Sequence, residues 1–211
     1  MKLTDYRTIR EVGKEIGSKI FNYAVDSNKQ DLISAAKLLG FWNGKVMVFD
    51  SEMDMEIMMD FMVFEKVTAS IPASKRFHMT NPELNDLQQE HMDGILNNYP
   101  SLFEVKSIDS IGNTIVLEDL LDANRKEYLL MDIGMSKTTV LGLILYNRLI
   151  PIRDINITSG VSFIFENSYK DKLLSAISLA AFKKRRKLTS SEMFILMNER
   201  NRQWGMETRT E

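Results

Sequence analysis

The sequence predicts an α+β protein: N-terminal helices, a central five-stranded antiparallel sheet or small barrel, and C-terminal helices. Three observations carry this reading. Residues 4–98 place apolar side chains at three- and four-residue spacing, the repeat of a helix face. Residues 101–166 change to short runs rich in Ile, Val, Leu, Phe and Tyr, separated by turn residues. Residues 167–201 return to helical spacing. No Pro/Gly/Ser-rich linker separates the zones, so residues 1–211 are expected to form a single compact unit.

In the first zone, Ile9, Val12, Ile16 and Ile20 form an apolar stripe, with Arg7, Arg10, Lys14 and Lys19 between them. Gly13 and Gly17 lie one turn apart beside it. An interior glycine costs a helix about 1 kcal/mol relative to alanine. Either a neighbouring helix approaches closely there, or the two are tolerated weak points. A second helix is predicted over 29–39, with Leu32, Ala35, Ala36 and Leu39 inward and Gly40 as its stop. Lys45–Phe49 reads as a short strand. Over 52–66, Met55, Met58, Met59 and Met62 fit the positions i, i+3, i+4 and i+7 of a helix. Glu52, Glu56 and Asp60 fall on another face. The alternation of Met53, Met55 and Ile57 with acids also fits a strand. Thr80 and Glu83 have capping-box spacing, and Asn81-Pro82 fits a helix start, so a helix is expected from there to just before Pro100.

Five strands are expected at 102–110, 113–121, 126–133, 140–150 and 156–166. The turn signals are Gly112-Asn113, Asp122-Ala123-Asn124 and Gly134. Connections this short favour antiparallel neighbours. In the last zone Leu173, Leu174, Ile177 and Ala181 make a helical stripe that ends in five consecutive basic residues, Lys183–Lys187. Thr189 and Glu192 then supply a capping box before Met193, Leu196 and Met197. The polar tail after Trp204 is expected to fray.

Composition excludes several chemistries. The 211 residues include no Cys, which removes disulfides, thiol catalysis and thiolate metal sites. With 27 Lys+Arg against 29 Asp+Glu, the net charge of −2 gives no global attraction to nucleic acid or membrane. Charges interrupt the N-terminal segment, and no apolar run reaches the length of a spanning helix, so a cytoplasmic location is expected. Without a secretory route the Asn156-Ile157-Thr158 sequon has no role.

Candidate sites are few. The acidic face of Glu52, Glu56 and Asp60, with Asp50 and Asp54 nearby, could offer carboxylates to a divalent cation. It lacks the glycine of a calcium loop, and a solvated helix face explains it more simply. His78 and His91 are not at metal-ligand spacing. Gly134–Thr138 lacks the glycines of a phosphate loop. No catalytic, cofactor or metal residue is therefore assigned. Two surfaces remain. Met55, Met58, Met59 and Met62 line either the core or a face for a protein partner or a second copy. Lys183, Lys184, Arg185, Arg186 and Lys187 either complement the helix dipole or contact phosphates, with Arg200, Arg202 and the stacking ring of Trp204 in support.

The strand zone carries LFEVKSIDSIGNTIVLEDLL, then NRLIPI, then ITSGVSFIF. In it Phe103, Glu104, Val105, Gly112, Leu117, Asp119, Leu120, Leu121, Arg148, Leu149, Pro151 and Gly160 match a pattern of the form F-E-V … G … L-x-D-L-L … R-L-x-P … G. On these residues, over about 55–165, the chain resembles bacterial proteins of unassigned activity that often carry a SEC-C motif. That motif is a Cys-rich zinc knuckle, and a chain without Cys cannot build it. The resemblance implies a shared scaffold and no activity. The leading functional expectation is an interaction or scaffold module that is not an enzyme. A nucleic-acid-associated factor using the small barrel and the basic helix end is the first alternative. A carboxylate-based hydrolase is the second.

Overall fold

The computed structural model describes residues 3–68 and 71–206. The chain divides into two compact units, Met1–Asn98 and Tyr99–Glu211.

The first unit is helical: α1 (Leu3–Ser27), α2 (Lys29–Leu39), α3 (Glu52–Phe64), α4 (Ala73–His78) and α5 (Asp86–Leu96). α1 packs against the other four. Its Ile9, Ile16 and Ile20 are buried as the stripe predicts, and Val12 sits half-buried at the edge. The two glycines resolve differently. A Cβ at position 13 would stand 2.6 Å from Cε1 of His91 on α5. Glycine is there because an imidazole ring occupies the space. Gly17 has nothing within 4 Å of such a Cβ and is a tolerated weak point. Burial, helped by the nearby Arg10 charge and opposed by Glu90, pulls the His91 pKa down to about 4. The ring is therefore neutral at physiological pH and packs as a flat, nearly apolar plate against α1.

α2 has the expected ends: Asn28 accepts from the Gln30 N–H, and Gly40 adopts φ 79°. Its buried polar residue is Asp31, whose carboxylate accepts from Arg76 Nη2 at 3.0 Å and from the hydroxyl and N–H of Thr68. Two expectations are corrected, and one helix is added. Lys45–Phe49 forms no strand, only a single bridge between Trp42 and Met47. The six-residue α4 is a helix the spacing does not announce. α5 begins later than Thr80–Glu83 suggests, because Asn81 turns the chain at φ 51° and the working capping box is Asn85 with Gln88.

The second unit holds β1 (Tyr99–Asp109), β2 (Thr114–Asp119), β3 (Glu127–Met131), β4 (Ile144–Ile152) and β5 (Ile155–Phe165). They close into a barrel in the order β1-β2-β3-β5-β4. Of the two forms expected, the small barrel is the one observed. It is not purely antiparallel. β4 returns beside β1, a Greek key, which leaves β5 to close the gap next to β3 and parallel to it. β1 serves both flanks: residues 99–104 pair with β4 and residues 103–109 with β2. A bulge between Val105 and Ser107 bends it round the corner. Phe103, Val105, Ile115, Leu117, Leu130, Leu145 and Leu149 fill the interior. The one-turn α6 (Met135–Thr138), expected as loop, packs Met135 against that core.

Asp119, fully buried, joins β1 to the end of β2. Its carboxylate accepts from the Tyr99 hydroxyl (2.6 Å), the Ser101 hydroxyl (2.6 Å) and the Leu121 N–H (2.8 Å). Burial and this carboxylate push the Tyr99 phenol above its ordinary range. Two further helices follow, α7 (Lys170–Lys184) and α8 (Ser190–Trp204), preceded by a single 3₁₀ turn at Asn167–Tyr169. α8 lies on β5, where Phe194 meets Tyr146 and Phe163 edge-on at 6.2 and 5.4 Å.

The glycine contrast yields opposite outcomes for one substitution. Gly13→Ala forces a methyl into the His91 ring and lowers unfolding free energy by about 1–3 kcal/mol. Gly17→Ala raises it by about 0.4–1 kcal/mol, because the space is open and the unfolded chain loses freedom. Urea unfolding of the two variants beside the parent chain checks both signs.

Candidate functional site

The α7–α8 hairpin is the most distinctive surface of the second unit. Leu173 is the one buried side chain of α7. The apolar stripe expected on this helix is half-buried at Leu174, Ile177 and Ala181. A second apolar row, Ala176, Leu179 and Phe182, occupies the other side. Leu179 is 54% and Phe182 80% exposed.

The basic run terminates the helix. Arg185 takes the left-handed conformation at φ 54°, and the Arg186 N–H reaches back to the Ala181 carbonyl at 3.2 Å. The chain then turns into the predicted capping box: Thr189 Oγ1 accepts from the Glu192 N–H, and Glu192 Oε2 accepts from the Thr189 N–H. Glu192 also accepts two hydrogen bonds from the Arg186 guanidinium, both 2.8 Å, and pairs with Lys184 Nζ at 2.8 Å. Arg186 first and Lys184 second hold its carboxyl well below the usual range. One carboxylate thus ties the end of α7 to the start of α8. Of the five basic residues read as a phosphate contact, Lys184 and Arg186 are engaged inside the hairpin. Lys183, Arg185 and Lys187 face water.

A groove runs between the helices. Ala176, Leu179, Ala180 and Leu196 form its floor, and Lys172, Lys183, Arg200, Asp171 and Trp204 its walls. Four side chains stack at one end: Lys172 lies 5.0 Å over the Tyr169 ring, Tyr169 stacks on Trp204 at 5.6 Å, and Arg200 lies 5.2 Å from Trp204. Trp204 is therefore occupied by its own neighbours. A base stacking on this ring would have to displace Tyr169 or Arg200.

The methionine segment divides between the two alternatives the sequence left open. α3 packs against α1, α2 and α4, and Met58 and Met62 are buried among them. They belong to the core. Met55, 52% exposed, and the half-buried Met59 remain outside. Glu52 and Glu56 are exposed, whereas Asp60 is buried. Among the described residues no group of three or more His, Asp or Glu side chains is placed to hold a metal ion, and no helix is long and apolar enough to cross a membrane. His78 ends α4 and His91 lies inside α5, in separate environments. The outer faces of β1–β3 carry Glu104, Glu118 and Glu127 directly opposite one another. Lys106, Arg125 and Lys170 lie beside the first two at 2.6–3.8 Å.

The sequence reading missed Leu179, Phe182 and Lys172. A signal was present: apolar residues on 173–182 occupy two sides of the helix, more than one core contact needs.

A sequence profile described as a family of unknown function (DUF7986) matches residues 1–211, so the chain belongs to that family. No curated protein and no solved structure matches it.

Glu192→Ala is expected to lower unfolding free energy by about 1 kcal/mol through loss of the cap and clamp. The sign with pH follows from the depressed carboxyl. The contribution is complete above the ordinary value of 4.5 and fades as pH falls below it. Thermal unfolding of parent and variant should therefore differ at neutral pH and converge in acid.

Proposed function

We propose that this member of the family is a protein-interaction module whose docking surface is the outer side of α7 and the α7–α8 groove. The observation that carries the reading is the exposed row of Leu179 and Phe182 on a helix that buries one side chain. Covering what remains exposed of both would release roughly 2–4 kcal/mol of transfer free energy, a typical anchor contribution. The surrounding charges keep such a face soluble in the free protein. A module of this kind fits the interaction role suggested by the sequence, with the surface on α7 instead of the methionines of α3.

A specific observation also favours nucleic acid. Five-stranded Greek-key barrels of the OB type bind oligonucleotides on the outer face of their second and third strands. Here that face carries Glu118 opposite Glu127, with Glu104 beside them on β1. Lys106, Arg125 and Lys170 pair with Glu104 and Glu118, so these six side chains leave no net positive charge to attract a phosphate backbone. The aromatic pair at the helix end is already stacked. The protein-docking reading is therefore preferred. A hydrolase has less support, since Asp119 is committed to three hydrogen bonds inside the barrel.

A photo-crosslinking residue at position 182, introduced in the organism's own cells, tests this. The expected result is a protein adduct that disappears in a Leu179→Asp background and is absent when the probe replaces Glu127. No adduct at 182, or an adduct to nucleic acid, contradicts the reading.

A further inference from the structure

We infer that the groove between α7 and α8 receives an acidic amphipathic helix of a partner protein. This rests on the docking reading above and adds the chemistry of the occupant. The floor is apolar, formed by Ala176, Leu179 and Leu196. The walls carry three cations, Lys172, Lys183 and Arg200, against one carboxylate, Asp171. Arg185 and Lys187 extend the positive charge past the exposed Phe182 ring at the end of α7. A complementary segment has an apolar stripe and acidic flanks.

The form of the segment follows from the walls. Both are helices whose backbone groups are already paired within the helix, so there is no strand edge for an extended peptide to join. Recognition must come from side chains. The lining residues of α7 run from Asp171 to Lys183. At 1.5 Å per residue this gives a length of about 18 Å, or three helical turns. A helix with apolar residues at i, i+3 or i+4, i+7 and i+11 presents a stripe of about 17 Å, close to that length. The stacked Lys172, Tyr169, Trp204 and Arg200 hold two of the three cations in place at one end. Less side-chain freedom is then lost when an acid pairs with them.

The test is selection from a random 16-residue peptide library displayed on phage, against the full chain. Binding is then measured with synthetic copies of the enriched peptides. Leu179→Asp and Lys183→Glu serve as variants, with circular dichroism to confirm that both fold. Enriched peptides should carry net negative charge and apolar residues at helical spacing. They should lose binding to Leu179→Asp. Their affinity for Lys183→Glu, or for the parent chain in high salt, should fall by about tenfold. Enriched peptides that need Leu179 but are neutral or basic overturn the acidic assignment and leave the docking reading standing. If no enriched peptide depends on Leu179, the docking reading falls as well.

Discussion

A fifteen-residue helix that buries only Leu173 has little reason of its own to stay folded. An apolar side of Leu173, Leu174, Ile177 and Ala181 is partly covered along its length, and the specific contacts that hold α7 lie at its ends. At the C-terminus, Glu192 gathers Lys184, Arg186 and the Thr189 backbone into one clamp. At the N-terminus, Tyr169 stacks on Trp204 between two cations. Because these end contacts and the covered side of the helix leave its opposite side unused, the side chains of the outer row are not consumed by the fold. The exposure of Leu179 and Phe182 depends on that division of labour.

The barrel supplies the base on which this hairpin rests. Closure removes free strand edges that would otherwise pair with other chains. The bulge in β1 lets one strand bond to both β4 and β2. Asp119 ties the beginning of β1 to the end of β2, so the residue within the L-x-D-L-L pattern has a structural task. α8 is then anchored by Phe194 on Tyr146 and Phe163, and by the Met206 N–H donating to the Ile164 carbonyl. α7 is tied to α8 by the Glu192 clamp and the Tyr169–Trp204 stack, and to β1 by Lys170, whose Nζ donates to Glu104 at 2.6 Å. The first unit uses similar economy: a neutral His91 ring fits the space left by Gly13.

Much of this was legible where local chemistry decides. The ends of α2, the Thr189–Glu192 box and the five strands all follow from caps, turn residues and spacing. The start of α5 was not, because Asn81-Pro82 and Asn85 both look like helix starts and only the positive φ at Asn81 selects the second. The parallel closure was not, because it depends on β4 crossing back to β1. Burial was the least legible property. Met55 and Met58 are three residues apart on one helix, yet one is exposed and the other is core. Leu173 is buried and Leu179 is 54% exposed, although residue type makes no distinction between them. Which side of a helix meets a neighbour is a tertiary fact, and spacing only says which residues share a side. The tail expected to fray lies, from residue 207 onward, outside the described residues.

The absence of cysteine makes the central claim directly measurable. Single substitutions Leu179→Cys, Phe182→Cys and Leu173→Cys each introduce a unique thiol, and alkylation rates in dilute native protein report its access to water. The account requires fast labelling at 179 and 182, close to the rate in the unfolded chain, and protection at 173. Protection at 179 and 182 equal to that at 173 would mean that the face is already covered in the free protein, and the docking surface would not exist.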